Sequence, residues 1–81
     1  MIVAGVVIET LPGKAPGLVP RLARMEGLRI HGGDGDRRLA GVWTAFDAHT
    51  LERLAEDLVA SVPDVVGVFP TFVGEADQGG E

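Results

Sequence analysis

Apolar residues run almost without interruption from Ile2 to Ile8 (Ile-Val-Ala-Gly-Val-Val-Ile). A short β-branched run of this kind reads as a central strand covered on both faces. Glu9 sets its phase: Val3, Gly5, Val7 and Glu9 share one face, and Ile2, Ala4, Val6 and Ile8 form the core side. From Thr10 to Gly17, Leu-Pro-Gly-Lys-Ala-Pro-Gly breaks any regular element. Leu18, Leu22 and Met25 then recur at i, i+4 and i+7, the stripe of an amphipathic helix, with Gly27 as its stop. Pro16 and Pro20 leave the helix start open, because proline suits only a first turn.

Leu28-Arg29-Ile30-His31 alternates as a half-exposed strand does. Asp34-Gly35 follows as a hairpin signal, since both central residues of a type I′ turn need positive φ. Centring the turn there pairs Ile30 with Leu39 and His31 with Arg38. Leu39 to Phe46 is the third strand. Leu39, Gly41, Trp43 and Ala45 face the core, and Arg38, Ala40, Val42, Thr44 and Phe46 face away. Asp47 suits the cap of a second helix carrying Leu51, Leu54, Leu58 and Val62 on one stripe, ended by Pro63. Val65 to Val73 is the fourth strand, and Pro70 assigns it to a sheet edge.

The order β-α-β-β-α-β folds, with right-handed crossovers, into an α+β ferredoxin-like plait. It has a four-stranded antiparallel sheet of order 4-1-3-2 with both helices on one face. Residues 1–74 form the single domain, and 75–81 read as an acidic, Gly-rich, disordered tail. The other sheet face is then bare. The strand phases place Val3, Gly5, Val7, Ala40, Val42, Thr44, Phe46, Phe69, Thr71 and Val73 on it, an apolar surface of the size that marks an interface. A homodimer stacking sheet on sheet is the simplest occupant, and a bound peptide or protein is the other. Gly5 favours a partner that approaches the backbone closely.

Composition narrows the choice of partner. Seven Lys+Arg against 12 Asp+Glu give a net charge of −5, with the basic residues scattered. A nucleic-acid footprint needs them clustered, so a basic ligand is the better electrostatic match. The first apolar run is far shorter than the roughly 20 residues that span a bilayer. It lacks a basic leader and is closed by Glu9, so it does not read as a signal peptide. The chain has no Cys, which removes disulfides, thiolate metal sites and Cys nucleophiles and fits a reducing compartment.

Chemistry is otherwise sparse. His31 and His49 lie in no metal-ligand motif and are expected to be solvated. Asp34-Gly35-Asp36 lacks the further acceptors and closing Glu of a calcium loop and reads as a turn. Gly32-Gly33 is followed by no Gly-Lys-Ser/Thr, and Ser61 has no neighbouring base. No catalytic residue, metal site or cofactor is expected.

Val3-Ala4-Gly5-Val6-Val7-Ile8-Glu9, Gly27-Leu28-Arg29-Ile30-His31, Leu39-Ala40-Gly41-Val42-Trp43 and the closing Val65-Val66-Gly67-Val68-Phe69-Pro70-Thr71-Phe72-Val73 resemble NapD-type chaperones. The likeness spans about residues 2 to 76 and rests on hydrophobic, loose motifs. Many members carry an aromatic-histidine pair after the last strand, where this chain has Gly74-Glu75. The resemblance implies a cytoplasmic, non-enzymatic protein. Such chaperones bind the twin-arginine signal peptide of the periplasmic nitrate reductase catalytic subunit and hold back its export until the molybdenum cofactor is inserted. The family binds the signal as a helix on the open sheet face. That implies a peptide site of Val3, Gly5, Val7, Ala40, Val42 and Thr44 as floor, Phe69, Thr71 and Val73 as wall, and Glu9 to meet an arginine.

A dimeric small-molecule regulatory module of the ACT or Lrp-effector type shares the fold, but it usually sits beside another domain. An acylphosphatase needs an Arg in the loop after the first strand and a catalytic Asn. Here that loop is Thr10-Leu11-Pro12-Gly13-Lys14, and the chain has no Asn.

Overall fold

β1 (Ile2–Thr10), α1 (Ala15–Leu22), β2 (Leu28–Gly33), β3 (Arg38–Ala45), α2 (Ala48–Ser61) and β4 (Val65–Glu75) follow one another in the computed structural model, which describes residues 1–75. The strands pair antiparallel in the order β2-β3-β1-β4, the expected sheet read from its other edge. The fold is α+β and ferredoxin-like. β4 runs two residues past the expected Val73. The rest of the expected tail lies outside the described residues.

The core follows from the strand phase set by Glu9. Ile2, Ala4, Val6 and Ile8 of β1 and Leu39, Trp43 and Ala45 of β3 are buried, together with Leu18 and Leu22 of α1 and Leu51 and Leu58 of α2. Trp43 is wholly enclosed, and its indole Nε1–H donates to the Glu26 carbonyl at 3.3 Å. A buried tryptophan therefore leaves no donor unpaired. The Asp47 side chain accepts the Thr50 N–H at 2.7 Å, the expected cap of α2.

α1 is shorter than its apolar stripe suggests. It ends at Leu22, and Met25 packs against the core from the turn that follows. That turn is closed by Arg24 N–H to Arg21 O at 3.2 Å and Met25 N–H to Leu22 O at 3.0 Å. Gly27 does not cap the helix. It sits at φ +80°, turns the chain into β2, and its carbonyl accepts the Thr44 N–H at 2.8 Å. A Cβ there would run into the Thr44 carbonyl oxygen, so only glycine fits.

The hairpin register also differs from expectation. Gly33 pairs with Leu39, Gly32 with Ala40, and Ile30 with Gly41, because a bulge at His31 shifts the ladder. Gly35 takes φ +77° but no described non-glycine residue, Asp34 included, has positive φ, so the turn is not type I′. The loop is organised instead by the Asp34 carboxylate. It accepts the backbone N–H of Asp36 at 2.9 Å and those of Arg37 and Arg38 at 3.0 Å each. The loop then fastens the start of α1. Asp36 O accepts the Ala15 N–H at 2.9 Å, and Asp36 Oδ1 accepts that of Gly13 at 2.6 Å.

The N–H bonds from Arg38 above all, then from Asp36, hold the Asp34 carboxyl below its ordinary titration range. A carboxyl with a lowered folded pKa adds stability above its unfolded value, and that stability is lost as pH falls through the lowered one. Amide exchange of Arg37 and Arg38 is therefore expected to accelerate as pH falls below about 4, relative to intrinsic rates. Asp34→Ala should abolish that pH dependence; an unchanged profile would contradict the assignment.

Candidate functional site

The open face is assembled by cross-strand rows, since directly opposed residues share a face. Arg29, Val42, Gly5 and Phe72 form one row across all four strands. Ala40, Val7 and Phe69 form the next, with Gly32 beside Ala40. Arg38, Glu9 and Gly67 form the row toward one end, and Thr44, Val3 and Gly74 the row toward the other. The structure thus brings Val3, Gly5, Val7, Glu9, Ala40, Val42, Thr44 and Phe69 together as expected. Phe46 lies beyond the end of β3 and is 74% exposed.

The face placement of one expected residue, Val73, changes at a bulge in β4, and an unexpected one, Phe72, joins the face. Val6 pairs with Pro70 and Gly5 with Phe72, which leaves Thr71 as the extra residue. Past it the alternation is inverted: Val73 pairs with Ala4, a core-side residue, and so leaves the open face. Phe72 takes its place. Thr71 remains over the face, its hydroxyl beside Gly5, as the two bulged residues lie on the side of the one residue they oppose. Strict alternation along Phe69-Pro70-Thr71-Phe72 cannot place both aromatics on one face. A proline between them was the available signal that the ladder breaks there.

Gly5 is not an open notch. The Phe72 ring occupies the place that a Cβ on Gly5 would take, and the Phe69 ring lies against Gly67 in the same way. Both rings still expose about half their surface, Phe69 51% and Phe72 56%. Glu9 also has a neighbour that its sequence position did not reveal, because Arg38 stands directly opposite it on β3. An incoming cation at Glu9 would meet a residue of like charge on the neighbouring strand. The face therefore has an apolar middle, aromatic toward β4, and Arg29 and Arg38 on the β2–β3 side.

His31 and His49 are exposed, and no group of three or more potential metal ligands occurs among the described residues. No described helix is long and apolar enough to cross a membrane. No family model matches the chain, and neither a curated protein nor a solved structure is significantly similar to it.

Proposed function

We propose that the chain is a peptide-binding chaperone of the NapD type. In this reading it acts in the cytoplasm and holds the twin-arginine signal peptide of a periplasmic nitrate reductase catalytic subunit as a helix on its open sheet face. It delays export until that subunit has received its molybdenum cofactor, and it has no catalytic role or cofactor of its own. The observation that carries the binding mode is the uncovered apolar face, with Phe69 and Phe72 half-exposed beside Val3, Val7, Ala40 and Val42. An amphipathic helix buries its apolar stripe on such a surface. The identity of the peptide rests on the sequence resemblance, and the net charge of −5 suits its basic end.

Calorimetric titration with a synthetic twin-arginine peptide tests the reading. The peptide is expected to bind. Its affinity should fall between about 0.1 M and about 1 M salt, chiefly through slower association, as the screening length shrinks from about 10 Å to about 3 Å. Apolar contact should dominate what remains. Absence of binding would overturn the reading, as would a stable dimer in which a second copy covers Phe69 and Phe72.

A further inference from the structure

The helix side of the sheet carries a second uncovered surface. Ala4 is fully buried there, yet its cross-strand partner Val73 is 56% exposed. Cover fades along β4: Val65 is buried, Val68 half-buried and Pro70 exposed. The result is a groove between α2 and β4. A cavity of about 250 Å³ has Val6, Leu51, Ala55, Val68 and Pro70 among its walls, and a second continues along α2 past Val59. Among the described residues, the only charged side chains lining either cavity are Glu52 and Glu56. They stand one helical turn apart on α2, a like-charged pair that costs stability in isolation and that a cation between them would relieve. Arg53 lines neither cavity.

We propose that this groove docks a basic amphipathic helix of a partner protein. Apolar side chains one turn apart would enter the two cavities, and a Lys or Arg flanking them would meet Glu52 and Glu56. A helix fits better than an added strand. Pro70 has no N–H to offer along the β4 edge, and the bulge at Thr71 breaks that edge's ladder. The groove lies across the sheet from the open face, so it stands independently of the signal-peptide reading.

The test uses a fluorescein-labelled 14-residue peptide with leucines at helical spacing and arginines flanking them, followed by anisotropy. The double variant Glu52→Gln/Glu56→Gln is expected to weaken binding about tenfold or more, while Glu26→Gln/Asp57→Asn, with the same change in net charge, should stay within about twofold. Ala55→Arg, which fills the groove, should abolish binding while circular dichroism stays unchanged. Equal weakening by both double variants would reduce the effect to general charge attraction and overturn the proposal. So would sedimentation showing that the chain alone dimerises and that Ala55→Arg returns it to monomer, since a second copy would then be the occupant.

Discussion

Trp43→Ala is expected to destabilise the domain by about 3–5 kcal/mol, the range for removing a large, fully enclosed aromatic. Trp43 has no exposed surface, and its indole N–H is already paired to Glu26, so truncation empties the centre of the core. A domain of this length holds in total about 4–12 kcal/mol, at about 0.05–0.15 kcal/mol per residue. The variant should therefore be largely unfolded at modest urea, and chemical denaturation followed by circular dichroism reads this directly. Leu58→Ala should cost about 2–5 kcal/mol. Leu54→Ala should cost less than Leu58→Ala, because Leu54 is only half-buried at the edge of the cluster. A Trp43→Ala protein as stable as the parent would contradict the packing described.

The largest effect on peptide binding is expected from Val42→Asp, with a loss of about 10- to 100-fold. Val42 stands in the centre of the open face, between Gly5 and Arg29. A carboxylate there would be desolvated beneath a bound apolar helix, and each tenfold corresponds to about 1.4 kcal/mol. The outer face is half-exposed at this point, so the fold should tolerate the change. Glu9→Gln should have a much smaller effect, since exposed ion pairs are worth about 0–1 kcal/mol and Arg38 already opposes Glu9. Gly5→Leu is a poorer probe, because any side chain at that position must first displace Phe72. Isothermal calorimetry on the three variants, each checked for folding, ranks them. Equal affinity of Val42→Asp and the parent would remove the open face as the site.

The sheet was legible because polar residues phase its strands. Glu9 marks the two faces of β1, and the alternation of Leu28-Arg29-Ile30-His31 marks those of β2. Pro70 correctly marked an edge strand, but its second consequence was hidden. The bulge that moves Phe72 onto the face and Val73 off it depends on how β4 pairs with β1, which no local pattern encodes. The same limit explains the hairpin. Asp34-Gly35 announces a turn, yet its type is decided by three backbone N–H groups converging on one carboxylate. Gly5 in the sequence suggests room for a closely approaching partner, whereas the space above it is filled by a residue 67 positions later in the chain. Arg38 opposite Glu9 is likewise a product of pairing rather than of spacing.

Amide chemical-shift mapping during titration with a twin-arginine peptide is the sharpest test of the proposed binding of that peptide, as a helix, on the open sheet face. Shifts should be largest at Val3, Val7, Ala40, Val42, Phe69 and Phe72, and clearly smaller at the helix-side residues Leu51, Ala55 and Val59. Shifts confined to α2 and the helix side of β4, or none at saturating peptide, would contradict it.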